Sequence, residues 1–280
     1  MKKLFITAAL ASSCMFAGAQ DMMSKKGTPI LPEAGDWSIG VDATDLIQYF
    51  GNLFTKDANN NSSLSPQINQ TLTGLYVKDE NTAFRMKLRI GFNSGSTDNL
   101  VHETGNASAD ATVTDTRKMS DMNFTIGAGI QKSRGKGRLH GIYGAEVGFG
   151  IGSGKTTYTY GNDFNSTTIA AGGPESTTDF DLGTSAPVSF RTTESKNGST
   201  FSFGLDAFIG AEYFFAPKMS LSGEYAWGLG LSSTGEGEVS TEIVNATLDG
   251  SDSNTSKTGK SSNFGVDVTN IGSITLHFYF

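Results

Sequence analysis

The chain is poor in cysteine: it carries one, Cys14. That residue lies in the opening segment MKKLFITAALASSCMFAGAQ, so the remainder can form neither disulfides nor thiolate metal sites. Prolines number six. Beyond the opening segment there is no apolar run approaching the about 20 residues of a membrane-spanning helix. Basic clusters are also missing. The formal net charge is -7, the wrong sign for a nucleic-acid partner. The three histidines, His102, His140 and His277, show no metal-ligand spacing. What the chain has in quantity is glycine, 35 residues, together with long stretches in which apolar and polar residues alternate.

The opening segment predicts a secretory signal peptide over residues 1–19. Lys2 and Lys3 are its positive region, Leu4 to Phe16 its apolar core, and Ala17-Gly18-Ala19 its cleavage site. Cleavage before Gln20 would take the net charge from -7 to -9. A rival reading makes Cys14 the acylated residue of a lipoprotein signal, but Ala11 stands where a leucine is usual and Phe16 to Ala19 would be left over. Residues 20–34, with Pro29 and Pro32, read as a short mobile leader. Residues 35–280 read as one β-rich unit.

The last stretch, Phe264 to Phe280, organises that unit. Counting back by twos gives Phe280, Phe278, Leu276, Ile274, Gly272, Asn270, Val268, Val266 and Phe264, with His277, Thr275, Ser273, Thr269, Asp267 and Gly265 between them. Side chains alternate across a strand, so one face is apolar and the other polar. The same pattern recurs upstream. A first strand, Asp36 to Ala43, carries Trp37, Ile39, Val41 and Ala43 on one face. Thr44 to Phe54 has helix-like spacing and is either a short helix or a continuation of that strand. A second strand, Thr71 to Lys78, is expected to turn Leu75 and Val77 outward. The third sets Phe84, Met86, Leu88, Ile90 and Phe92 against Arg85, Lys87, Arg89 and Gly91. The fourth sets Met122, Phe124, Ile126, Ala128 and Ile130 against Asn123, Thr125, Gly127, Gly129 and Gln131. The fifth presents Leu139, Tyr143, Ala145, Val147, Phe149 and Ile151, with Glu146 on its other face. The sixth runs from Phe201 to Tyr213 and the seventh from Leu221 to Leu231.

Eight strands follow, joined by alternately long and short connections. The long ones, at about 93–120, 153–199 and 232–262 and in the Asn/Ser-rich stretch before Thr71, are rich in Ser, Thr, Asn and Gly. The expected fold is therefore all-β: an eight-stranded antiparallel transmembrane β-barrel with short periplasmic turns and four long external loops. Closure removes unpaired edges, which a sheet in lipid cannot hydrate. A lipocalin-like soluble barrel would share the period with its apolar face inward. Three features favour the apolar face outward. Gly, Ser and Thr suit a narrow lumen. Arg85, Lys87 and Arg89 can balance Asp42, Glu146, Asp206, Glu212 and Glu224 in a lumen charge network. Trp37, Tyr143, Tyr213, Tyr225 and Trp227 lie on the apolar face, several near strand ends where aromatic girdles belong.

The segments AGDWSIGVDAT at Ala34 to Thr44, GAEYFFAPKMSLSGEYAWGLGL at Gly210 to Leu231, and the terminal SITLHFYF resemble the small outer-membrane barrels of the OmpA/OmpX type, and more closely the outer-membrane β-barrel proteins of Bacteroidota. The resemblance covers nearly the whole chain after the opening segment. It implies an outer-membrane location, contact with outer-membrane lipid, and recognition of the terminal Phe278 and Phe280 by the barrel-assembly machinery. Gly272 stands further back than the glycine of the usual assembly signal. A peptidoglycan-binding module, carried by some relatives after the barrel, is not expected.

The remaining motifs weigh toward bland readings. GFGIGSGKTT, Gly148 to Thr157, invites a phosphate-loop reading, but Phe149 occupies the first required glycine position. His102 with Glu103 or nearby serines is the only candidate for a lipid-modifying enzyme. The Arg85/Lys87/Arg89 ladder is expected to plug the barrel rather than line a pore, since eight strands enclose little more than their own side chains. The expected function is non-enzymatic: a structural or surface-interaction role through the external loops, with an unnamed extracellular partner and no cofactor, metal or nucleic acid. A narrow channel, a lipid-modifying enzyme and a soluble carrier are the alternatives.

Overall fold

The computed structural model describes residues 23–24, 26–43, 71–108, 110–165, 174, 177–245, 250–267 and 272–280. The predicted signal peptide, the Thr44–Phe54 segment and the Asn/Ser-rich stretch before Thr71 lie outside them. Every regular element among the described residues is a strand. In chain order these are β1 (Trp37–Asp42), β2 (Thr71–Asp79), β3 (Thr82–His102), β4 (Thr112–Lys136), β5 (Leu139–Thr159), β6 (Thr177–Asp179) and β7 (Thr184–Ala186). They continue with β8 (Phe190–Lys196), β9 (Thr200–Ala216), β10 (Met219–Thr234), β11 (Glu238–Val244), β12 (Ser251–Lys257), β13 (Ser261–Asp267) and β14 (Gly272–Tyr279).

Eight of them form a closed antiparallel ring in the order β1-β2-β3-β4-β5-β9-β10-β14. β14 closes it by pairing with both β10 and β1. At the seam Trp37 N–H donates to the Phe280 carbonyl at 3.0 Å, and Phe280 N–H returns the bond to Trp37 at 2.9 Å. Tight turns join β2 to β3, β4 to β5 and β9 to β10. In the second, Gly137 takes φ +82°, and in the third Lys218 takes φ +58°, a conformation uncommon for a residue with a Cβ.

The faces sort by polarity. Phe84, Met86, Ile90 and Phe92 of β3, and Phe124, Ile126 and Ile130 of β4, are exposed on the outside. So are Tyr143, Phe149 and Ile151 of β5, Tyr225 and Trp227 of β10, and Phe278. Arg85, Glu212, Glu224, Ser220, Ser222, Thr275 and His277 are buried inside. Trp37, Tyr76 and Phe84 form a continuous aromatic run on the outer surface, with ring centroids 4.8 and 6.4 Å apart. Room inside is scarce. A Cβ on Gly40 would come within 2.6 Å of the His277 ring, and one on Gly144 within 2.7 Å of Phe208. Glycine at these positions lets large neighbours fill the interior.

Three expectations need correction. Leu75 and Val77 face inward, at 1% and 6% exposure. Their register places Ser38 opposite Leu75 and Trp37 opposite Tyr76, so Tyr76 shares the outer face with Trp37. Both faces of LTGLYV carry large apolar groups, and periodicity alone does not choose between them. Residues 28–34 of the leader are docked rather than free. Ile30 is 1% exposed and packs with Leu75, Val77, Phe214 and Tyr279 at the turn end of the ring. Finally, the described parts of the stretches expected as long polar loops at 93–120, 153–199 and 232–262 contain much sheet. β3 and β4 stay paired from Thr82–Lys132 to His102–Thr112, leaving only 103–111 as a connection. Above Gly152, β5 leaves β9 and pairs with β8, which continues through β11 to β12. Many of the polar Thr and Ser residues that suggested loops are strand residues.

Candidate functional site

The lumen is built in layers. Arg85 projects from β3 to the opposite side of the ring and binds Glu224 of β10 at two points, 2.7 and 2.6 Å. The same guanidinium donates to Gln131 at 3.3 Å and lies 4.4 Å over the Phe208 ring. Its Nε is 3.2 Å from Glu146 Oε2, at an angle that makes no hydrogen bond. Lys87 takes the other oxygen of Glu146 at 2.5 Å. Burying these charges is tolerable only because each is paired.

One layer toward the turns, Glu212 accepts hydrogen bonds from Ser220 Oγ at 2.5 Å and Tyr279 Oη at 2.7 Å. His277 and Ser38 lie beside it, with Nδ1 and Oγ 3.5 Å apart. Beneath comes the apolar cluster around Ile30 and Phe214. Residues 28–36 form a strap across this end. Gly35 N–H donates to Val77, Val77 N–H to Asp36, and Lys218 N–H to Ile30. The Lys218 ammonium pairs with Asp36 and lies 3.6 Å from Glu33. Strap and lumen wall a partly open chamber of about 770 Å³.

The eight predicted network residues therefore divide. Arg85, Lys87, Glu146 and Glu224 form one cluster. Glu212 belongs to the layer below. Asp206 is the cross-strand neighbour of Glu146. Arg89 faces the lumen above Lys87, and its Nε is buried with no hydrogen-bond partner. Asp42 lies at the exposed end of β1, and none of the ion pairs just described includes it. Phe278 and Phe280 are exposed on the outer surface. Sequence reasoning missed Tyr279 and Ser220 as partners of Glu212. Parity with His277 was the available signal for Tyr279.

The other end of the molecule carries an ordered head. Asp115, fully buried, accepts from the backbone N–H groups of Gly161 at 2.9 Å and Thr178 at 2.8 Å. The Arg191 guanidinium pairs with Glu242 and lies over Tyr160 and Phe164 at 4.3 and 4.7 Å. Tyr160 Oη donates to the Thr192 carbonyl at 2.7 Å, and burial pushes its phenol well above the ordinary tyrosine range. Glu194 bridges Lys155 at 2.6 Å and Lys196 at 2.8 Å. Those two ammonium groups hold its carboxyl below the usual range.

The weaker motifs resolve simply. GFGIGSGKTT is continuous strand within β5, and its lysine is the Lys155 of the Glu194 bridge. His102 ends β3, with Nε2 3.2 Å from the Ser108 carbonyl, while Glu103 accepts from Asn106. Among the described residues no group of His, Cys, Asp and Glu is arranged to hold a metal. No protein-family model matches the chain, and a search of curated proteins finds no match either.

Proposed function

We propose that this chain is an outer-membrane β-barrel whose barrel is an anchor and whose ordered head carries an interaction with a surface partner. The observation that carries the reading is the polarity of the ring. Its outer face is a belt of exposed Phe, Ile, Leu, Met, Tyr and Trp, and its inner face holds the Arg85–Glu224 tie. On β3 the belt runs from Phe84 to Phe92, close to the about 9–11 residues of a tilted membrane strand. A soluble surface of this apolarity far exceeds the few hundred Å² normally left exposed. The aromatic run at Trp37, Tyr76 and Phe84 sits at the turn end of that belt, where a girdle belongs.

The obstructed interior disfavours a channel: the Arg85–Glu224 tie spans it and the strap crosses one end. Of the non-enzymatic roles, surface interaction is favoured by the head, where β8, β11 and β12 extend the sheet beyond the ring. The first experiment is the mobility of the outer-membrane fraction on a detergent gel with and without boiling. A band that shifts on heating is expected. Recovery as a soluble protein with no shift would overturn the reading. Planar-bilayer recordings without unitary conductance, and unchanged lipid A in a deletion strain, are the companion expectations.

A further inference from the structure

The chamber under the strap is walled rather than filled. Its apolar sides are Leu31 of the strap, Leu75 and Val77 of β2, and Phe214 of β9. Its inner end is polar, formed by Gln131, Glu212 and Tyr279. A space of about 770 Å³ with apolar walls and a few convergent polar groups has the size and make-up of a small-molecule site.

Charge selects the class of ligand. The acidic residues around the chamber are Glu33, Asp79, Glu80 and Glu212, against Lys136 and His140. Glu33 is shared with Lys218 outside the chamber. Among the described residues Glu212 makes no contact ion pair: its hydrogen-bond donors are the neutral hydroxyls of Ser220 and Tyr279, and Arg85 and His277 act on it only from beyond contact distance. A buried carboxylate without a cation in contact favours a positive charge brought against it.

We propose that this chamber binds a small amphiphile with a cationic head, the ammonium directed to Glu212 and the apolar body lying between Leu31, Leu75, Val77 and Phe214. The strap supplies one wall of the site, so the segment read as a leader is part of the binding structure. The proposal does not rest on the membrane location of the ring.

The test uses the full chain, in buffer or in lipid nanodiscs according to the phase from which it is recovered. The probes are 2-phenylethylammonium and 3-phenylpropanoate, similar in size and opposite in charge, titrated by calorimetry. Saturable binding of the cation with Kd below about 1 mM is expected, with the anion weaker by about tenfold or more. Glu212→Gln keeps an acceptor for Ser220 and Tyr279 while removing the charge, and should lower cation affinity by about tenfold. Leu31→Trp fills the chamber from the strap side and should abolish binding while gel mobility stays that of the parent. No saturable binding, equal binding of the two probes, or full affinity in either variant would overturn the proposal.

Discussion

Arg85 and Glu224 meet across the full width of the ring. They come from β3 and β10, three strands apart by either route, and form a two-point contact with side-chain exposures of 2% and 4%. Neither strand touches the other through its backbone. The pair is therefore a strut between opposite walls, and Gln131, Glu146 and Phe208 fix its near end.

Removing one member should leave the other as an uncompensated buried charge. Glu224→Leu is expected to destabilise the fold by about 3–5 kcal/mol. The double variant Arg85→Leu/Glu224→Leu should recover much of that loss, because the stranded charge goes with it. Urea unfolding midpoints of the parent and the two variants measure both effects.

The outer belt makes an opposite demand. Leu88→Arg, on the outer face of β3, should cost about 2–4 kcal/mol if that position lies near the bilayer midplane. A lumen substitution that adds no charge, Thr125→Ser, should be close to neutral. Assembly efficiency into the outer membrane separates them. A neutral Leu88→Arg beside a damaging Thr125→Ser would mean that the polar face meets the hydrophobic phase.

Lys218 pins the strap through Asp36 and Glu33. Lys218→Asn keeps a residue that tolerates positive φ and removes the charge. In a Cys14→Ser background, maleimide labelling of Ile30→Cys should be slow with Lys218 present and faster by about tenfold with Asn in its place, as expected when a locally stable unit is loosened. Equal rates would show that the apolar contacts of Ile30 hold the strap without the ion pair.

In the head, Asp115→Ala orphans the N–H groups of Gly161 and Thr178. The local cost should be about 1–3 kcal/mol for each. It should appear as faster proteolysis between residues 160 and 180, with the unfolding of the ring unchanged.

The lowered pKa of Glu194 fixes the direction of a pH effect. A carboxyl depressed in the folded state contributes stability above its unfolded value, and that contribution fades as pH falls through the folded one. The β5–β8 junction made by Lys155, Glu194 and Lys196 should therefore be intact at neutral pH and loosen in acid. NMR titration of the Glu194 carboxyl should give a midpoint below that of an unstructured glutamate.

Strands with one apolar and one polar face were readable as they stood. β3 is the clearest: Phe84 to Phe92 outside and Arg85 to Arg89 inside are legible from alternation alone. β2 was not, because Leu72 and Tyr76 compete with Leu75 and Val77 and only pairing with β1 decides between them. The candidate site was half legible. Charge balance among lumen positions pointed to Arg85, Lys87, Glu146 and Glu224. Which carboxylate each cation takes depends on how far apart strands stand around the ring, a quantity with no local signature. The head was the least legible part. The residues of β8, β11 and β12 are mostly Ser, Thr, Glu and Lys, and such a composition reads as loop until long-range pairing is known.

Trp37 and Phe280 exchange hydrogen bonds, so the ring is sealed by the partnership of its first and last strands. β14 comes last of the ring strands in chain order, and until it pairs, both β1 and β10 offer open edges to any passing strand. Closure is then a late, long-range step of the slow kind. Without β14 those edges would stay open, an invitation to pair with other chains. The seam thus makes the ring all-or-none: no subset of its strands can hide every edge.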